Sequence, residues 1–82
     1  MSEFETAARR WLATCGLRRP PIGLHDILSH LSSHIQAGTQ DRAGLSAVLR
    51  LATDGELDAL KQRHPGAYAM AKTMIQEAQV HG

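Results

Sequence analysis

The sequence predicts an all-α domain, a compact bundle of four or five short helices. Apolar residues recur at every third or fourth position in several segments, the spacing that lines one side of an α-helix. The clearest stripe contains Leu24, Ile27, Leu28, Leu31 and Ile35. The chain has one Phe, one Trp and one Tyr, and its other apolar residues are mostly Leu, Ala, Ile and Met, which favours helices over strands. Because 82 residues have room for one small core, we expect a single domain over 1–82.

The first helix is predicted to begin after Ser2, because Ser2 and Glu5 have the spacing of a capping box. Its apolar side contains Phe4, Ala7, Ala8, Trp11, Leu12 and Cys15. We therefore expect Cys15 to be a small core residue. Gly16 suits the left-handed residue that ends a helix, and the two prolines at 20–21 prevent the helix from continuing. The connector 17–23 should be extended, with Arg18 and Arg19 in water.

The second helix, which carries the clearest stripe, is the one around which we expect the others to pack. It should end at Gly38, and Thr39 or Asp41 can cap the next helix. The third helix has its core side in Leu45, Val48, Leu49 and Ala52. Leu51 projects away from that side, and Ala47 leaves the far side only weakly polar. This helix therefore carries more apolar surface than an outer helix of a small monomer needs.

The last third of the chain predicts one long helix or two shorter ones. Thr53 and Glu56 again have the spacing of a capping box. Pro65 disfavours a helical conformation at the preceding residue and suits the first position of a new helix, so we predict a break there. A kink at Pro65 would leave four helices instead of five. The final helix has Ala67, Ala71, Met74, Ile75 and Ala78 on its core side, flanked by Tyr68 and Met70.

Composition and motifs exclude several classes of function. The formal net charge is +1, far from the strongly positive balance typical of nucleic-acid binders. A single cysteine excludes an internal disulfide, and no secretory signal or apolar run of about 20 residues is present. We therefore expect a cytoplasmic protein that does not bind membranes. No catalytic motif, phosphate-binding glycine loop or dinucleotide motif occurs, so we expect neither enzymatic activity nor a cofactor.

One spacing is compatible with a metal site. His30 and His34 are one helical turn apart, and Asp26 is a turn earlier on the same side, so the three could form part of a zinc shell. The spacing is weakly specific, and no glutamate follows His30 as it does in metalloproteases. We expect ordinary surface and core-margin side chains here, and no metal.

A DNA-binding regulator is the alternative function. Residues 45–63 look like two helices joined by a short turn that contains glycine, as in helix-turn-helix proteins. Arg9 and Arg10 on the first helix of the chain, and Arg18 and Arg19 on the connector, could contact phosphates. However, the second helix of this pair would begin with Glu56 and Asp58, whose charges repel phosphates at the end that should enter the groove.

We instead predict a non-enzymatic protein–protein interaction module, a small regulator, adaptor or inhibitor. The surplus apolar surface, chiefly Leu51 with Ala47 and Met70 with Tyr68 and Met74, would contact a protein partner, with Arg18 and Arg19 as a polar rim. Homodimerisation is a further expectation, since so short a chain has few places to bury both sides of a helix. The alternative to a partner contact, for each of these apolar residues taken alone, is a place in the core.

Overall fold

The computed structural model describes residues 1–81, and the side chains of residues 1–79. Within that part of the chain it contains five α-helices and no strand, which confirms the predicted all-α fold. The helices are α1 (Glu3–Thr14), α2 (Leu24–Ala37), α3 (Arg42–Leu49), α4 (Asp54–Arg63) and α5 (Pro65–His81). None of the helices in the described residues combines the length and apolarity needed to cross a membrane.

The helix ends follow the local chemistry of the sequence. The Ser2 and Thr53 side chains each accept a hydrogen bond from the backbone N–H three residues later, and Glu5 and Glu56 return a bond to the cap residue, so both predicted capping boxes are confirmed. Gly38 ends α2 in the left-handed region, at φ 78°. The predicted break at Pro65 is also confirmed, because His64 leaves the helical region, at φ −138° and ψ 68°.

Two helices share the centre of the bundle. α2 packs against α1, α4 and α5, whereas α5 packs against α2, α3 and α4. The expectation that α2 alone organises the fold is therefore too narrow. Ala67 and Ala71 of α5 are fully buried, and their small size lets three helices approach α5 closely. The core residues on the other helices include Phe4, Leu12, Ile27, Leu28, Leu31, Leu45, Leu49 and Leu60.

A hydrogen bond between side chains joins the starts of α1 and α4. The Ser2 hydroxyl donates to Glu56 Oε2 at 2.6 Å, while Glu56 Oε1 accepts from the Thr53 backbone N–H at 2.9 Å. Glu56 is buried, and this arrangement gives both of its carboxylate oxygens a donor. The two capping boxes therefore act as one unit that fixes α4 against the beginning of the chain.

The structure corrects two of the sequence predictions. Cys15 is exposed rather than part of the core, because α1 ends at Thr14 and Cys15 is the C-cap residue, which lies outside the helix whose inner side packs against α2 and α3. Leu51 is not on a helix face. α3 ends at Leu49, and Leu51 lies in the turn that follows, where its backbone N–H donates to the Val48 carbonyl at 3.1 Å.

Candidate functional site

The residues predicted to bind a partner do not form one surface. Leu51 lies beside the start of α1, and Arg18 and Arg19 lie on the connector after its end. Ala47 lines a groove between α3 and α5. Tyr68 packs partly against the core and lies under the Lys61 ammonium, which is 5.8 Å from the ring centre. The predicted set therefore divides among at least three regions of the molecule.

Leu51 and Met70 are comparably exposed, at 43% and 42%, but Leu51 lies in the turn after α3 and Met70 lies on α5. Met70 is one turn before the buried Met74 and seven residues before Glu77, so it belongs to the side of α5 that borders α3. Tyr68 is two positions from Met70, about 200° around the helix, and lies on the side that borders α4. Tyr68 and Met70 therefore cannot contact the same small partner surface.

Two adjoining grooves follow the solvent-facing side of α1. The first, of about 320 Å³, is lined by Leu51, Met1 and Ala7 together with Arg10. The second, of about 410 Å³, is lined by Arg10, Ala13, Arg18 and Arg19. Because Arg10 lines both, the grooves form a continuous surface. We call it the α1 outer surface and define it by Leu51, Ala7, Arg10, Ala13, Arg18 and Arg19.

The connector that carries Arg18 and Arg19 is held in place at both ends. Leu17 donates its backbone N–H to the Leu12 carbonyl at 3.1 Å. At the other end the Arg9 guanidinium donates from Nε and Nη2 to the Pro21 carbonyl, at 3.3 and 3.1 Å. The two prolines between these points restrict the backbone further. Arg9 is thus a structural residue that keeps the two exposed connector arginines close to Arg10.

The α1 outer surface is predominantly positive. Among the side chains of residues 1–79, ion pairs join Asp26 to His30 and Arg42 to Glu77, and neither pair lies on this surface. Arg10, Arg18 and Arg19 are exposed and have no carboxylate within 4 Å in that part of the chain. The only acidic side chain that lines either groove is Glu3. The surface can therefore attract carboxylates from a binding partner.

The three residues considered for a metal site have other contacts. Asp26 Oδ1 is 3.4 Å from His30 Nε2, and Asp26 Oδ2 accepts the Ile22 backbone N–H at 3.0 Å. His34 is instead next to Trp11, with the ring centres 5.0 Å apart in an edge-to-face arrangement. No cluster of three such side chains with metal-binding geometry occurs among the described residues.

The helix pair considered for DNA binding corresponds to α3 and α4. Both helices pack against α5, but within the described residues they do not pack against each other. The two helices of a helix-turn-helix, in contrast, pack together. Asp54 and Asp58 of α4 are exposed, whereas Glu56 is buried against Ser2. The start of α4 therefore presents negative charge to solvent.

Sequence reasoning missed two features of this region. Ile22 is 95% exposed and directly follows the proline pair, in the same connector as Arg18 and Arg19. An apolar residue outside every helical stripe, in a connector stiffened by proline, is the signal that could have identified it. Arg10 was considered only as a phosphate contact, although its place between the two grooves makes it central to the α1 outer surface.

Comparisons with family models, with curated proteins and with solved structures found no match to this chain.

Proposed function

We propose that this chain is a non-enzymatic protein-binding module whose partner docks on the α1 outer surface. Leu51 provides the apolar anchor, and Arg10, Arg18 and Arg19 form a basic rim. The observation that carries the proposal is the position of Arg10, which connects the exposed leucine to the connector arginines. The partner that fits is a protein segment with an apolar side chain for the Leu51 groove and carboxylates for the arginines.

The arrangement matches the anatomy of protein–protein interfaces, in which a small apolar centre is surrounded by polar side chains. Burial of an exposed leucine removes apolar area from water, and the surrounding arginines select a partner of opposite charge. Because Arg9 and the two prolines already order the connector, binding does not have to order it, which lowers the entropic cost of association. The effect on the partner would be occlusion or recruitment, as expected of a small inhibitor or adaptor.

A protein partner explains this surface better than a nucleic acid. Phosphate contacts need arginines but no exposed leucine in an adjoining groove. The net charge of +1 gives the whole chain little long-range attraction for nucleic acid. The α3–α4 pair also presents the acidic start of α4. The observations therefore favour a protein that carries both an apolar and an acidic determinant.

The test compares two variants that alter equally exposed apolar residues. Leu51→Glu removes the proposed anchor, and Met70→Glu makes the same change on α5 as a control. Each purified variant is used to capture binding partners from cells that naturally produce the chain, and the intact complexes are weighed by native mass spectrometry. We expect Leu51→Glu and the pair Arg18→Glu with Arg19→Glu to weaken capture of one protein by about tenfold or more, and Met70→Glu to leave it unchanged.

Circular dichroism and urea unfolding of each variant accompany the capture. Because Leu51 is half exposed, its substitution should lower the free energy of unfolding by only about 1 kcal/mol. Unfolding of Leu51→Glu would mean that Leu51 is a core residue, and equal capture by all variants would place the partner elsewhere. Capture of duplex DNA that weakens steeply with salt would replace the proposal with the DNA-binding alternative.

A further inference from the structure

A second surface lies between α3 and α5 and shares no lining residue with the α1 outer surface. The groove between α3 and α5 has a volume of about 360 Å³. We call it the α3–α5 groove and define it by Arg42, Ala43, Ala47, Arg50, Met74 and Glu77. The α3 residues in it are exposed, and Met70 extends the exposed apolar surface along the same side of α5.

The charges in this groove are arranged differently from those on α1. At one end Arg42 Nη2 lies 3.2 Å from Glu77 Oε2, and the side chains of this pair are both about half exposed, at 54% and 52%. At the other end of α3, Arg50 is exposed and has no carboxylate within 4 Å among the described side chains. Both oxygens of Glu77 contact the same Arg42 nitrogen, so the carboxylate has room to accept another donor. The groove therefore carries the Arg42–Glu77 ion pair, in which Glu77 can accept a further donor, at one end and an unpaired guanidinium at the other.

We propose that a second copy of this chain docks in the α3–α5 groove about a twofold axis through the middle of α3. A twofold rotation exchanges the two ends of the helix, which are about 12 Å apart for eight residues. It therefore brings Arg50 of each copy to the Glu77 end of the other, and two intermolecular ion pairs form at once. The small side chains of Ala43 and Ala47 lie between these ends and allow the two α3 helices to approach.

Charge complementarity distinguishes a second copy from other occupants. The α1 outer surface is predominantly positive and would repel its own copy, so self-association has to use a surface that carries both signs. A uniformly basic partner would be repelled by Arg42 and Arg50, and a uniformly acidic one would pair with these arginines but bring like charge to Glu77, which lies 3.2 Å from Arg42. The surface that satisfies both residues places opposite charges in the reverse order, as the same groove does after a twofold rotation.

The test exchanges the two charges. Arg50→Glu places two carboxylates opposite each other in the dimer, and Glu77→Arg places two guanidinium groups there. We expect each variant to weaken dimerisation by about tenfold or more in sedimentation equilibrium and native mass spectrometry. An equimolar mixture of the two variants should restore a heterodimer, since both of its intermolecular contacts again join opposite charges. Arg63→Glu, an exposed charge reversal on α4, is the control and should dimerise like the unmodified chain.

Each outcome decides the proposal. Should Glu77→Arg fail to fold because it also faces Arg42, Glu77→Gln serves instead and should weaken the dimer without repulsion. A chain that stays monomeric at several hundred micromolar overturns the proposal, and so does a dimer that both variants leave intact. A dimer that both variants weaken, but that the mixture does not restore, means that these residues do not face each other. Retention of partner capture by a monomeric Arg50→Glu variant would show that the two surfaces act separately.

Discussion

The two sides of α1 illustrate how one short helix can serve both the fold and a partner. The inner side places Phe4, Ala8, Trp11 and Leu12 against α2 and α3, where all four are buried. The outer side is exposed, and Arg10 is the residue there that connects the two grooves. Because the buried core residues lie on the inner side and Arg10 and Ala13 are exposed on the outer side, substitutions on the inner side should mainly change stability and substitutions on the outer side should mainly change association.

The largest effect that tests this comparison is expected from Phe4→Ala. Phe4 is 1% exposed, and its loss should lower the free energy of unfolding by about 3–5 kcal/mol through lost burial and a new cavity. Since small domains have only about 5–15 kcal/mol in total, a large fraction of the variant should be unfolded. Ala13→Ser, on the outer side, should change the free energy of unfolding by no more than about 0.5 kcal/mol. Urea unfolding followed by circular dichroism measures both, and similar losses would contradict the division of α1 into two independent sides.

A smaller effect is expected where the inner side of α1 meets the start of α3. The Trp11 indole N–H donates to Asp41 Oδ2 at 2.9 Å, and Asp41 Oδ1 accepts the Gly44 backbone N–H at 3.0 Å. Trp11→Phe keeps an aromatic ring in the core but removes the donor to the carboxylate. We expect a loss of about 2 kcal/mol in the free energy of unfolding, since hydrogen bonds to charged groups contribute more than neutral ones.

A double-mutant cycle separates that hydrogen bond from ring packing. Asp41→Ala removes the acceptor and also the cap of α3, and the two substitutions together should be less destabilising than their sum by about 1 kcal/mol. Strict additivity would mean that Trp11 stabilises α1 against α3 by packing alone, with no contribution from Asp41.

The Trp11–Asp41 bond also shows which parts of the structure could be predicted from sequence. Capping boxes and apolar stripes depend on residues three or four positions apart, so the helices and most of the core follow from local spacing. Trp11 and Asp41 are 30 residues apart in the chain, and no local pattern relates them. The bond between Ser2 and Glu56, which are 54 residues apart, was beyond local reasoning for the same reason.

The candidate site was harder to predict than the core for a related reason. A helical wheel separates an inner side from an outer side, but it does not show which outer residues neighbour each other across different segments. Leu51 and Arg10 meet only because the turn after α3 packs beside α1, and Arg18 approaches Arg10 only because Arg9 holds the connector. Cys15 shows the opposite error, since its spacing places it in the apolar stripe of α1 although it is the exposed C-cap residue that follows the last helical position.

The smallest change in the free energy of unfolding is expected at Gly44. Its direction is opposite to the one that helix propensity alone would predict. Alanine normally stabilises a helix interior relative to glycine by up to about 1 kcal/mol. A Cβ added at Gly44, however, would lie 2.8 Å from Trp11 Nε1 and would overlap the Asp41 carboxylate. We therefore expect Gly44→Ala to lower the free energy of unfolding by about 1 kcal/mol, because the Trp11–Asp41 bond has to shift or break.

Gly55 provides the matched control near the start of α4. A Cβ there would meet only Thr53 Oγ1, at 4.0 Å, so Gly55→Ala should raise the free energy of unfolding by up to about 1 kcal/mol. Opposite signs for the two glycines in urea unfolding would show that the start of α3 is fitted closely to the inner side of α1, whereas the start of α4 has space. A stabilised Gly44→Ala variant would instead mean that the junction of α1 and α3 adjusts easily. The close packing inferred for the inner side of α1 would then not include Trp11.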